Sequence, residues 1–379
     1  MSKQTKLLVA VGVGALVIVA SIGAALALSG SDDSKAAPDD SKASTTLATT
    51  TTAPPPVAPL TGLPDPGGDS LKRPALSVKV ENFNPDSRPQ AGLDQADVVY
   101  EEEVEGGITR FVAIYNSTAP DTIGPVRSVR LQDPDIVWPI GGIFAYSGGA
   151  ADPVAAISSA PVHAVDNTAA VANGANAMER DAPGQPKRDA PHNLYGHGPA
   201  LFGLGGDPKP PPPLFEYTKP GSPNAGTNVG DPVASMHIGF TGDYDASYQW
   251  DAATNTWKRF QHGEPHLVVG GDQVAPTNVV VQFTRYDGES NGQTVGEGDA
   301  WIFTDGRVYK GRWVRPDRTK PARYIDLAGA PITLRPGRTW VELLPMTYPV
   351  DIEAPPPAPP TTVPATTGVP VTTKPKSAK

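Results

Sequence analysis

The chain has 379 residues, a net charge of −9, 44 prolines, 39 glycines and no cysteine. Proline well above the roughly 5% of ordinary globular chains predicts segments that do not fold, and the acidic balance argues against general electrostatic binding to nucleic acid. Without cysteine there is no disulfide, thiolate metal site, iron–sulfur cluster, cysteine nucleophile or acylated lipoprotein cysteine.

Behind Lys3 and Lys6, Leu7 to Leu28 is an uncharged run of 22 residues, long enough to cross a bilayer core as a helix. Lysines before it and acids (Asp32, Asp33) after it predict a cytoplasmic amino terminus with everything from Ser29 onward outside. The expected location is the cell membrane, single-pass, with extracytoplasmic folded domains. The chain is secreted instead if a signal peptidase cuts after Ala25-Leu26-Ala27. Residues 29–70 read as a disordered Ser/Thr/Pro stalk and 354–379 as a disordered Pro/Thr tail. Between them a first domain, 71–205, and a β-rich second domain, 233–353, are separated by a Pro/Gly-rich linker at 206–232.

The expected fold is α+β. In the first domain, Asp97 to Asn116 predicts a β-hairpin closed by a two-residue Gly106-Gly107 turn. That turn sets Glu105 opposite Ile108, Glu103 opposite Arg110 and Glu101 opposite Val112, so Glu101, Glu103, Glu105 and Arg110 share one face. Crowded carboxylates raise one another's pKa and can supply a general acid; a solvent-facing acidic strand with one ion pair is the plainer alternative. Next, Gly124-Pro125-Val126-Arg127-Ser128-Val129-Arg130 predicts a turn and then a helix begun near Arg127. Its three-residue spacing places Arg127 and Arg130 on one side, suited to carboxylate or phosphate groups.

Ile143 to Ser147, Asp152 to Ser159 and Val162 to Val165 predict a small β-α-β unit. Its ligands would gather at Ser147, Gly148 and Gly149, beyond the first strand's carboxyl end. That turn has neither the dinucleotide fingerprint nor the phosphate-loop lysine, so no cofactor is implied. Arg180 and the loop Pro191-His192-Asn193 complete the polar set, His192 as a base, a ligand or a hydrogen-bonded clasp.

From Val233 the pattern is β throughout, predicting a sandwich or barrel-like domain with tryptophans in its core. His262-Gly263-Glu264-Pro265-His266 alternates metal-ligand types, but the Gly and Pro between them imply a turn, and no metal site is expected. The stretch 305–323 carries seven basic residues against two acids, a candidate contact for an anionic polymer or lipid headgroups, or else a charged edge strand.

The segments Asn82 to Gln90, Gln95 to Glu101, Glu105 to Arg110, Gly124 to Arg130, Gly148-Gly149 and Pro191-His192-Asn193 resemble the YerB-like lipoprotein family. The likeness continues through Tyr248-Gln249-Trp250, Thr277 to Val280, Gly306, Trp313 and Leu334 to Trp340. The resemblance implies an envelope-anchored, two-domain extracytoplasmic protein, both halves of unknown function; lacking the lipid-bearing cysteine, this chain would be held by its helix. The family's motif positions fall on Glu101, Glu105, Arg110, Arg127, Arg130, Arg180, His192 and Asn193, with Glu103 outside them.

The expected site is a polar cleft with Glu101, Glu105 and His192 as candidate acid and base. Arg110, Arg127, Ser128, Arg130, Ser147, Gly148, Gly149, Arg180 and Asn193 would bind the ligand. Its partner would be a cell-wall glycan, peptide or other envelope polymer. The alternatives are a hydrolase or lyase acting on such a polymer and a scaffold for envelope proteins.

Overall fold

The computed structural model describes residues 55–357 apart from 84, 169–175, 206, 220–229 and 289. The predicted membrane span at 7–28 and most of the stalk and tail lie outside the described residues. Among the described residues, no helix is long and apolar enough to cross a membrane.

The chain order is β1 (Leu76–Glu81), β2 (Val98–Glu103), β3 (Thr109–Tyr115), α1 (Asp133–Val137), β4 (Ile143–Tyr146), α2 (Ala151–Ser158), β5 (His163–Asp166), β6 (Met178–Arg180), β7 (Leu194–Gly196) and α3 (Gly198–Gly203). There follow β8 (Asp231–Pro232), β9 (Ser235–Ile238), β10 (Ala246–Asp251), β11 (Thr256–Gln261), β12 (Glu264–Pro265), β13 (Asn278–Thr284), β14 (Gly296–Thr304), β15 (Arg307–Arg315), β16 (Arg323–Ile325), β17 (Thr339–Pro345) and β18 (Val350–Glu353).

One 11-stranded mixed sheet runs β16-β15-β14-β13-β17-β2-β3-β1-β4-β5, with β8 paired to β15. A five-stranded sheet, β12-β11-β10-β9-β18, and the β6-β7 pair complete the strands. The fold is therefore mixed α/β and mostly strand, but the second half does not close into a separate sandwich or barrel. Its β17 instead pairs in parallel with β2 of the first half, from Thr339 opposite Val98 to Leu343 opposite Glu102. The reason lies in the sequences: β17 is buried along its whole length and β13 everywhere but at the half-buried Phe283, the pattern of strands covered on both faces.

Two apolar layers cover the large sheet. On one face Met236, Ile238, Tyr248 and Trp257 of the smaller sheet pack with Val80, Phe111, Val281 and Trp340. On the other, Ile136 and Val137 of α1 and Ile157 of α2 pack with Val112, Phe144 and Val341. Trp257, Trp313 and Trp340 are buried and Trp250 and Trp301 half-buried.

The folded part begins before Leu71 and continues into the expected linker. Leu60 is fully buried, and Leu214 and Phe215 join it in the second layer, because isolated apolar residues in proline-rich chain still gain by leaving water.

The β4-α2-β5 unit forms with β4 and β5 parallel, as the pattern predicts. The helix expected after Arg127 does not. Backbone N–H groups of Val126, Arg127 and Val129 are taken by the carbonyls of Leu194, Lys79 and Gly148, so the segment runs extended past the ends of β1 and β4.

Candidate functional site

β1, β4 and β5 are parallel neighbours, and β2, β17 and β13 run the same way. Their carboxyl ends make one edge of the large sheet, the position where open α/β sheets hold ligands.

The acidic hairpin departs from its expected register. Its turn spans Glu105–Gly107, closed by Val104 N–H to the Ile108 carbonyl at 2.7 Å. That is one residue longer than a Gly-Gly turn, and one residue of slip exchanges the two faces. Glu101 lies opposite Phe111, Glu102 opposite Arg110 and Glu103 opposite Thr109. Glu101 and Arg110 are therefore on opposite faces, and the shared carboxylate surface does not form.

The consecutive acids serve two separate buried networks instead. Glu101, fully buried, takes a hydrogen bond from Arg259 Nη2 at 2.5 Å and one from Thr109 Oγ1 at 2.7 Å. Across the strand pair stands Glu342, also fully buried and hydrogen-bonded by the Tyr248 hydroxyl. Burial, then the charge of Glu101, pushes the Glu342 carboxyl well above the usual range, so it carries the proton that balances two acids against one guanidinium. His266, pushed well below its ordinary value by burial and then by the Arg259 and Arg88 charges, is neutral. It receives a hydrogen bond from Arg259 at Nδ1 and faces Gln90 Oε1 through Nε2 at 2.9 Å. His262 is exposed, beside Asp243 and Asp245, so the two histidines do not share a site.

On the opposite face the pattern repeats. Lys79, fully buried, contacts Glu102 and also Asp133, the latter at 2.8 Å. Burial, then the Asp133 charge, raises Glu102 to about 8.

The group that does gather at the sheet edge is built around Glu81, the last residue of β1 and almost fully buried. Its two oxygens contact Arg127 Nε at 2.7 Å and His192 Nδ1 at 2.8 Å. His192 also stacks on Phe83, ring centroids 5.5 Å apart. Opposite Glu81 in the register stands Arg110, 7% exposed. The carbonyl of Ser128 accepts from Nη1 of Arg110 at 3.3 Å and, at 3.4 Å, from Nη1 of Arg130. Arg130 Nε contacts Glu105 at 2.7 Å, and the Ser290 hydroxyl donates to the same carboxylate.

Three guanidiniums thus meet two carboxylates. Burial, then the charges of Arg130 and Arg127, pushes Arg110 down to about 10, leaving it cationic at neutral pH. Its Nε has no hydrogen-bond partner, and neither has Arg127 Nε, whose contact with Glu81 is ionic without hydrogen-bond geometry.

The turn predicted beyond β4 lies against this cluster. Ser147 N–H donates to the Arg127 carbonyl at 2.9 Å, and Val129 N–H to the Gly148 carbonyl at 3.1 Å, while Gly148 and Gly149 are exposed. His192 opens on its other side into a cleft of about 1120 Å³, lined also by Arg88, Asp181 and Arg188. Arg180 and Asn193 connect to it through Asp181: Arg180 donates to Asn193 Oδ1 at 2.8 Å, and Asn193 Nδ2 to Asp181 at 3.0 Å.

Of the sequence-predicted residues, Arg110, Arg127, Ser128, Arg130, Glu105, His192 and the Ser147-Gly148-Gly149 turn come together, and Arg180 and Asn193 flank them. Glu101 does not. Sequence reasoning missed Glu81, Arg259, Lys79 and Asp133; the alternation Leu76-Ser77-Val78-Lys79-Val80-Glu81 marks β1 and was the signal available for two of them.

The basic run 305–323 is largely spent within the fold. Arg315 is buried on the carbonyls of Thr294, Arg318, Lys320 and Asp135; Arg318 pairs with Asp135, Arg312 with Glu297, and Lys310 lies 3.9 Å from the Trp301 ring centroid.

Comparison with known proteins agrees with this architecture. A Bacillus subtilis (strain 168) protein named "Putative lipoprotein YerB" is 52% identical over 73 residues, 19% of this chain and 22% of that protein's length. The crystal structure of the YerB protein from Bacillus subtilis superposes with a TM-score of 0.64 at 23% identity, over 78% of this chain and 99% of that one. Residues 60–203 match the N-terminal domain, and residues 236–341 the C-terminal domain, of the family described as "Protein of unknown function (DUF3048)". The chain belongs to the DUF3048 family, matching both its N-terminal and its C-terminal domain.

Proposed function

We propose that the protein is an envelope-associated binding module, held at the outer face of the membrane, whose sheet-edge cluster grips an anionic envelope polymer. The observation that carries this reading is Arg110. A cation more than nine-tenths buried, beside two others and with an unpartnered Nε, has a desolvation cost that its protein surroundings do not fully offset. An anionic group supplied from outside would offset that cost by its charge and by bonding to the partly exposed guanidiniums of Arg127 and Arg130, in the fork geometry that guanidinium offers to phosphate or carboxylate. The relation to a named lipoprotein supports the envelope location. The scaffold reading is weaker, because the basic run it would use is mostly paired internally.

The test is calorimetric titration of the full chain with poly(glycerol phosphate), poly(glutamate) and a neutral glycan over a range of salt. Binding of an anionic polymer should weaken with salt, and Arg110→Gln or Arg130→Gln should weaken it tenfold or more with melting temperature nearly kept, since the partner of Arg130, Glu105, is exposed. Failure of the parent to bind either polyanion, or binding unchanged in both variants, refutes the reading.

A further inference from the structure

Glu81 places an imidazole and a guanidinium on the two oxygens of one buried carboxylate, Arg127 at 2.7 Å and His192 at 2.8 Å. A carboxylate fixed on Nδ1 holds the proton there and leaves Nε2 with its lone pair, the arrangement by which an acid orients a histidine base. His192 is held further by its stack on Phe83 and retains 18% side-chain exposure on the wall of the large cleft. Among the described residues, Nε2 has no recorded protein partner. A clasp alone would require only the bond to Glu81. It would not require the second nitrogen to open on a cleft that Arg88 and Arg188 also line.

We infer that this is a hydrolytic centre for phosphodiester links, with His192 as general base, Glu81 as the positioning residue, and Arg88 of the cleft wall, together with Arg127 on the same carboxylate as His192, stabilising the charged phosphoryl group. The inference rests on the anion-binding reading above and goes beyond it by assigning a reaction. Phosphodiester is the favoured class because it brings the anion to the reacting atom: guanidiniums that bind the non-bridging oxygens also sit where charge develops. In a carboxylate polymer the charged group and the scissile bond are separate.

In the step, water attacks phosphorus as its proton passes to His192 Nε2. The bond from phosphorus to the ester oxygen on the opposite side breaks, and that oxygen leaves with its electron pair and is protonated by solvent water, while the imidazolium returns its proton to solvent. The products are a phosphomonoester and an alcohol, with the base regenerated. No oxidant, reductant or second substrate is needed.

The test is ³¹P NMR of poly(glycerol phosphate) incubated with the full chain, alongside the titration already described. Monoester resonances should grow with parent protein. His192→Gln should slow their appearance about 100-fold or more, the usual contribution of a general base, with polymer affinity within about threefold of the parent. Glu81→Gln should lower kcat with a smaller change in KM, and added imidazole should restore turnover to His192→Gly but not to Glu81→Gln. Polymer binding without any monoester signal overturns this inference and leaves the binding reading standing; so does turnover unchanged in His192→Gln. Absence of binding overturns both.

Discussion

At the scale of single residues, the governing feature is that each face of β2 buries two acids against one base. Arg259 sits between Glu101 and Glu342, and its guanidinium carbon lies 4.6 Å from the Trp340 ring centroid. Arg259→Met should cost about 3–5 kcal/mol in denaturant unfolding, because Glu101 is left charged and alone in an apolar layer. Adding Glu101→Gln to that variant should recover part of the loss, a coupling that a double-mutant cycle measures. Glu102 makes a pH-dependent prediction. Its folded pKa near 8 exceeds that of the unfolded chain, so the native state holds a proton that the unfolded state has released. Stability should therefore fall as pH rises from about 5 to about 8, and Glu102→Gln should remove that slope. The opposite slope in urea midpoints would contradict the assignment of the proton. None of this was legible from the run Glu101-Glu102-Glu103, which reads equally well as a wet edge strand. The partners Arg259 and Glu342 lie far away in sequence and carry no local mark, and Lys79 shows only as one position in the alternation of β1.

At the scale of elements, the hairpin shows where local signals reach their limit. Alternation and the Gly106-Gly107 pair were enough to identify two strands and a reversal, but a glycine pair is compatible with turns of different length, and the extra residue exchanges the faces. The β-α-β unit was easier, since a short apolar strand, a glycine break and a helical octet permit few arrangements. The β character of the chain after Val233 was also legible, and β9 to β18 carry it. Arg127 and Arg130 do converge, but by an extended path rather than a helix, because partners in β1, β7 and the Gly148 turn claim the backbone donors. Both turn glycines have positive φ, 74° at Gly106 and 70° at Gly107. A Cβ at Gly106 meets nothing within 4 Å, whereas at Gly107 it would lie 2.2 Å from the Thr241 hydroxyl. Gly106→Ala should thus cost about 1 kcal/mol from backbone strain alone, and Gly107→Ala more, in thermal melts. Equal losses would show that the contact of the hairpin tip with Thr241 contributes nothing.

At the scale of the molecule, the two family halves share one sheet. The β2–β17 ladder joins them, and the layer containing Phe111, Trp257 and Trp340 draws residues from both. The described residues, 55–357, accordingly fall in a single compact unit. Produced separately, 55–205 and 230–357 should each expose a long unpaired strand and half of an apolar layer, and should aggregate or remain unfolded. Together they should unfold in one transition, with fluorescence and far-UV signals coinciding. Two well-separated transitions, or a soluble, cooperatively melting half, would refute this. The site's location depends on the same architecture. Glu81 and Arg110 come from the first half, while Ser290, which binds Glu105 at the cluster's outer margin, comes from the second.

The three consecutive acids of β2 create a hazard during assembly. If the strand docked one position out of step, with Glu102 in the place of Glu101 and Glu103 in that of Glu102, Lys79 and Arg259 would each still meet a carboxylate, so these two ion pairs cannot reject the error. Discrimination falls to the places of Val99 and Tyr100, which lie in opposite apolar layers; the slip would press a phenol into a space shaped for an aliphatic side chain and put the Glu101 carboxylate where that phenol packs. Proofreading of this strand thus rests on the two uncharged residues that precede its most highly charged stretch.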